Sequence, residues 1–278
     1  MAFINRILVP TDFSAPSGNA LRYALLLSEK TRAEVTALHI YNVPVMDPYM
    51  PGDTIELLLE EIKKEADRNM SELLAAQAHP RLKGECRLGF ITDDTVSFSR
   101  ESQADLIVMG TTGASGMKEI FFGSNTSGVI QQSGIKVLAV PESFVVRQPP
   151  SKICYASEYT ENEDLQFLTF LEAAKAWGCS LNVLHIAGEP LTEAPPAKQM
   201  FLKLAEDAGF EKLSFDEIVS QDVTAAIETY VQATKADMLA MVLQQKTLFE
   251  RMFGKSKTRH MAHHAQIPLM VARKQPAG

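Results

Sequence analysis

The feature that most limits what this chain can fold into is that it carries one pattern twice. Arg6-Ile-Leu-Val-Pro-Thr-Asp12 returns as Lys152-Ile-Cys-Tyr-Ala-Ser-Glu158. Val35-Thr-Ala-Leu-His-Ile40 returns at the same offset as Leu181-Asn-Val-Leu-His-Ile186. Ala104-Asp-Leu-Ile-Val-Met109 then matches Ala236-Asp-Met-Leu-Ala-Met241, and Ile135-Lys-Val-Leu-Ala-Val140 matches Ile267-Pro-Leu-Met-Val-Ala272. The offset shrinks partway along, so the second copy lacks part of a middle segment. A repeat this long means two duplicated domains rather than a solenoid. Arg147-Gln-Pro-Pro-Ser151 is Pro-rich, lacks apolar periodicity and reads as the linker. The expected domains are residues 1–146 and 151–278.

Within each copy, short apolar runs alternate with helical patterns. In the first, strands are expected near 6–10, 34–40, 85–90, 105–110 and 135–140. Helices are expected near 15–31, 53–78, 93–102 and 124–133. Ile7-Leu-Val and Leu106-Ile-Val-Met are apolar without alternation, as parallel strands covered on both faces should be. The fold class is therefore α/β: two tandem, doubly wound parallel-sheet domains, Rossmann-like or flavodoxin-like, with right-handed crossovers. Ligands on such sheets bind beyond the carboxyl ends of the strands, where strand order reverses.

Two loops follow strand ends. One is Pro10-Thr11-Asp12. The other runs from Met109 to Thr126 and spaces Gly110, Gly113 and Gly123-Ser124 as G-x2-G-x9-G-S ahead of a helix. Glycines allow close backbone approach and positive φ. The unpaired N–H groups of Ser124, Asn125 and Thr126 could then face an anion, aided by the helix dipole. Asp12 offers a carboxylate to sugar hydroxyls or to a divalent ion beside phosphates. The hydroxyls of Ser124 and Thr126 would add donors.

Composition narrows the partners. A formal net charge of −7 with no Lys/Arg cluster argues against nucleic acid as the main ligand. Cys86, Cys154 and Cys179 are scattered with no C-x-x-C, which excludes a zinc ribbon and fits a reducing compartment. No apolar run approaches the roughly 20 residues of a membrane span and no signal peptide is evident, so a cytoplasmic protein with no membrane partner is expected.

With the opening Ile7-Leu-Val-Pro-Thr-Asp-Phe-Ser14, the full glycine pattern and the closing Val137-Leu-Ala-Val-Pro141, the chain resembles a tandem universal stress protein, its first half of the ATP-binding kind. The resemblance implies a cofactor, ATP with Mg²⁺. It implies that Pro10, Thr11 and Asp12 hold the adenosine and that the backbone of Ile40 meets adenine. Met109, Gly110, Thr112, Gly113, Gly123, Ser124, Asn125 and Thr126 would hold ribose and phosphates. It also implies that 135–140 and 267–272 pair within the chain as a pseudo-dimer; a further homodimer and protein partners stay open. No catalytic base or arginine finger is evident, Arg100 belonging to the preceding helix, so binding with at most slow hydrolysis is expected.

The second copy departs from the pattern. Pro10 becomes Ala156, Asp12 becomes Glu158, Gly110 becomes Val242 and Gly113 becomes Gln245; Gly254 precedes Lys255, which takes the third glycine's place. A β-branched valine suits neither close approach nor positive φ, so nucleotide binding there is doubtful. Other features have plainer readings. His260 and His264 lie one helical turn apart but no Cys or Asp completes a metal site. His39 and His185 recur at equivalent strand ends, which suggests structure. Cys154 reads as a small buried hydrophobe. Met46–Gly52 is either a cover for a nucleotide or an ordinary connection. Phe249-Glu-Arg-Met-Phe253 resembles Met117–Phe122 and either packs between the halves or meets a partner. Two functions are carried forward: a nucleotide-dependent stress-response protein, and a nucleotide-independent scaffold. An adenylating ATP pyrophosphatase would want a Ser-Gly-Gly loop where this chain has Pro10-Thr11-Asp12.

Overall fold

A computed structural model describes residues 4–42, 52–111, 124–160, 163–243 and 267–273. The first copy runs β1 (Arg6–Pro10), α1 (Ala15–Thr31), β2 (Glu34–Tyr41), α2 (Gly52–Gln77), β3 (Leu82–Leu88), α3 (Ile91–Glu101), β4 (Leu106–Thr111), α4 (Ser124–Gln132) and β5 (Lys136–Pro141). The second runs β6 (Lys152–Ser157), α5 (Asp164–Trp177), β7 (Ser180–Ala187), α6 (Pro196–Asp207), β8 (Leu213–Val219), α7 (Val223–Thr234), β9 (Met238–Leu243) and β10 (Leu269–Arg273). The shortened middle segment is the helix: α2 has 26 residues and its counterpart α6 has 12.

All ten strands form one sheet in the order β3-β2-β1-β4-β5-β10-β9-β6-β7-β8. Within each copy the strands are parallel. The copies join where β5 and β10 pair antiparallel, with Ala139, Leu138 and Val137 opposite Leu269, Met270 and Val271. These six side chains are buried. The expected pseudo-dimer is therefore one continuous sheet, and the closing strand's edge is consumed inside the chain.

Apolar cores cover both faces of the sheet and each is shared by both copies. On one face Leu21, Tyr23 and Leu27 of α1 join Phe167, Phe170 and Trp177 of α5. On the other, Val96 of α3 and Val129 of α4 join Ile227 and Val231 of α7. Burial on both sides explains the unbroken apolar runs of β1 and β4. The edge strand β3 instead interleaves Lys83, Glu85 and Arg87, charges that deter pairing with another chain. That interleaving hid its true start, three residues earlier than the sequence pattern suggests.

The repeat extends to polar details. Asp105 accepts from the backbone N–H groups of Asn5 (2.7 Å) and Arg6 (3.0 Å), tying β4 to the start of β1. Asp237 accepts in the same way from Ser151 (2.9 Å) and Lys152 (3.0 Å). Among the described residues no helix is long and apolar enough to cross a membrane.

Candidate functional site

The chain order reverses at β1, which has β2 on one side and β4 on the other. A cleft opens beyond the carboxyl ends of these strands, as expected of a switch point. Its floor is Pro10 and Thr11 from the end of β1, with Met109 and Gly110 from the end of β4. Leu38 and Ile40 of β2 and Ile91 of α3 make an apolar wall. Its polar lining is Asp12, Ser14 and Ser17 at the start of α1 and Ser124, Asn125 and Thr126 at the start of α4. Of the residues singled out in the sequence, Pro10, Thr11, Asp12, Ile40, Met109, Gly110, Ser124, Asn125 and Thr126 thus line one cleft. Thr112, Gly113 and Gly123 lie outside the described residues, as do the histidine cluster, Gln245, Gly254, Lys255, Phe249–Phe253 and most of Met46–Gly52. Arg100 sits in the last turn of α3 and does not line the cleft.

The loop after β1 is held by local bonds. Thr11 donates its N–H to the Leu38 carbonyl (2.8 Å), fixing the strand end. Its hydroxyl accepts from Phe13 N–H (3.1 Å) and meets the Ser17 hydroxyl (3.1 Å). Phe13 turns the chain at φ 62°, and its ring packs on His39 with centroids 4.4 Å apart. His39 in turn donates from Nδ1 to the Thr11 carbonyl (2.8 Å). The second copy repeats this latch: Tyr159 at φ 52°, stacked on His185, whose Nδ1 donates to Ser157 (2.9 Å). The paired histidines are structural, as their recurrence suggested.

Ser14 caps α1, accepting from Ser17 N–H at 3.5 Å. Asp12 stands exposed at the cleft mouth and accepts from the N–H (3.1 Å) and hydroxyl (2.5 Å) of Ser14. Partial burial pushes its pKa up, but the hydroxyls of Ser14 and Ser17 and the Ser14 amide outweigh it and hold the group below 3.8. A carboxylate lowered in the fold adds stability above its unfolded pKa and loses it as pH falls through the folded value. Asp12→Asn should therefore flatten the acid limb of the stability curve below about pH 4. Denaturant midpoints across that range would check it; superimposable acid limbs would show that the bonds to Ser14 add nothing.

Two site residues have roles the sequence did not suggest. Gly110 is not at positive φ. A Cβ there would lie 2.4 Å from the Pro16 carbonyl oxygen and 2.9 Å from Ser17 N, so the glycine lets α1 press against β4. Thr126 spends its hydroxyl on the Gly110 carbonyl (3.3 Å), which ties α4 to β4. What α4 offers a ligand is then the first-turn N–H groups and the exposed Ser124 and Asn125. Ser14, Ser17, Ile91 and Thr95 are lining residues that sequence reasoning missed. Ser14 and Ser17 lay beside Thr11-Asp12 and could have been found as a run of hydroxyls; Thr95 carries no such signal.

The second copy differs at the equivalent positions. Glu163 stands where Ser17 stands and is buried. One carboxylate oxygen accepts from Tyr155 (3.1 Å) and Ser157 (2.5 Å). The other accepts from the N–H (3.3 Å) and hydroxyl (2.6 Å) of Thr160. Ile227 replaces Thr95 and Val242 replaces Gly110, both buried. Cys154 lies fully buried and burial pushes its thiol up to about 12, so it is no nucleophile. Among the described residues no three His, Cys, Asp or Glu side chains group as metal ligands.

A universal stress protein of Methanocaldococcus jannaschii is 31% identical over 137 residues, 49% of this chain and 81% of that protein. One from Bacillus subtilis is 30% identical over 145 residues, 49% of this chain and 98% of that protein. The solved structure of a universal stress protein from Archaeoglobus fulgidus covers 97% of this chain and 98% of its own at a TM-score of 0.72; at 19% identity it speaks to the fold. The description of the universal stress protein family matches residues 4–141 and again 151–273. Both halves thus match in the order the repeat predicts, and the chain belongs to the universal stress protein family as a tandem of two of its domains.

Proposed function

We propose that the first domain binds ATP and that occupancy of this one site sets the conformation or the partner choice of the whole chain, with hydrolysis slow at most. The observation that carries the reading is the make-up of the cleft: an apolar wall at Leu38, Ile40 and Ile91 suits a base, and a helix N-terminus with Ser124 and Asn125 suits phosphates. Nucleotide binding is also typical of the family. Mg²⁺ would arrive with the phosphates, needing only the Asp12 carboxylate and water from the protein side. Among the described residues that line the cleft there is no lysine, arginine or histidine, which fits retention better than turnover. A route for a switch exists, because α1 begins at the cleft and packs against α5 of the second domain in a shared core.

Native mass spectrometry with and without ATP and Mg²⁺ tests this. One nucleotide per chain, lost in Gly113→Val, is the expected result. Two per chain would mean that the second domain binds despite Glu163. None at millimolar ATP would reject the proposal in favour of the nucleotide-independent scaffold.

A further inference from the structure

Helix threonines ordinarily return their hydroxyl to the carbonyl four residues back. Thr31, Thr169, Thr229 and Thr234 all do so here, to Leu27, Leu165, Ala225 and Tyr230. Ser99, the other buried hydroxyl on α3, donates to the Val96 carbonyl at 2.8 Å. Thr95 does not follow them. It is 0% exposed, and its Oγ1 has no hydrogen-bond partner among the described residues. Tyr23, Tyr159, Gln166 and Trp177 also bury an unpartnered polar atom, but none of them lines the cleft, whereas Thr95 does. It sits one turn after Ile91 on the same helix face, and both line the cleft together with Leu38, Ile40 and Met109.

An unpartnered buried hydroxyl is unfavourable unless something arrives to pair with it. The apolar wall otherwise has only side chains that cannot orient a flat heterocycle, and a single hydroxyl there can donate to a ring nitrogen or accept from an exocyclic amine. The second domain, which carries the buried Glu163 in place of Ser17, has Ile227 at the equivalent point of α7. The hydroxyl is thus present in the open cleft and replaced by an apolar side chain in the other. We propose that Thr95 is the base-reading residue of the first domain, its hydroxyl completing a hydrogen bond to the purine of the bound nucleotide. The proposal rests on the ATP-binding reading of the same cleft.

Thr95→Val keeps the shape and removes the hydroxyl. Its affinity for ATP, by titration calorimetry, should fall about tenfold, the worth of one buried hydrogen bond. Ribose 5-triphosphate, which lacks a base, should bind the variant and the wild type alike. Thr95→Ser should restore ATP binding to within about threefold. Without ligand, the melting temperature of Thr95→Val should equal or slightly exceed that of the wild type, because the orphaned hydroxyl is gone. Undiminished ATP binding by Thr95→Val would overturn the assignment and leave the ATP reading standing. So would an equal loss for ATP and ribose 5-triphosphate, which would mark Thr95 as structural. A wild type that binds no nucleotide would remove both.

Discussion

Gly110→Val, which writes into the first domain what the second carries at Val242, should destabilise the protein by about 3 kcal/mol or more and abolish nucleotide binding. The reason is backbone against backbone. The Pro16 carbonyl carbon and oxygen lie 2.5 and 2.4 Å from where a Cβ would stand, and neither belongs to a side chain that can rotate away. Relief requires α1 to lift off β4. That movement would break the contact of Thr11 with Ser17, unseat the Ser14 cap and shift Asp12. It would also strain the packing of α1 on α5, so the damage should extend beyond the site. Denaturant midpoints with an ATP titration on the same samples would measure both effects. Gly110→Ala should show the same two losses at smaller size. A valine variant with the wild-type midpoint would show that helix and strand have room to part, and the close approach would lose its meaning.

The glycine shows how sequence and structure divided the information. The glycine spacing after an apolar strand pointed to the loop that follows β4, and of that pattern Gly110 and Ser124 line the cleft. The cause assigned to Gly110, positive φ or approach to phosphate, was not the one the structure gives. One strand cannot announce which helix presses on it; that depends on the distant Pro16-Ser17 segment. The same limit applies to Thr95 and Glu163. A threonine in a helix has no mark that separates a solvated hydroxyl from an orphaned one. An acid ahead of Asp164-Leu165-Gln166 reads as ordinary first-turn charge. Only the folded neighbourhood of Tyr155, Ser157 and Thr160 makes it an internal ligand. The duplication was legible because it repeats local patterns: the apolar strands, Asp105 and Asp237, His39 and His185. The pairing of β5 with β10 was implied by the resemblance alone, because an apolar run says that a strand is covered and not which edge it meets.

Glu163→Ala should lower stability by about 3 kcal/mol while leaving ATP binding by the first domain unchanged. The carboxylate collects four donors: the hydroxyls of Tyr155, Ser157 and Thr160, and the N–H of Thr160. Tyr155 is fully buried among Phe167, Phe170 and Phe201, so its hydroxyl has no route to water once the acceptor is lost. Each stranded donor then carries its desolvation penalty, which exceeds the net worth of the bond it made. Glu163→Gln separates charge from geometry. Its amide oxygen can still accept from Tyr155 and Ser157, and its amino group can donate to a rotated Thr160 hydroxyl. The Thr160 N–H alone loses its acceptor, and the loss should be about 1 kcal/mol. Thermal melts of both variants, beside calorimetric ATP titrations, would read stability and binding independently. If alanine left the melt unchanged, the carboxylate would be a surface charge rather than the anion that holds the start of α5. If alanine instead raised the stoichiometry to two nucleotides per chain, Glu163 would be the residue that bars ligand from the second domain. One nucleotide per chain in the destabilised variant would mean that loss of the Glu163 carboxylate does not by itself open the second domain, where Ile227 and Val242 stand in place of Thr95 and Gly110.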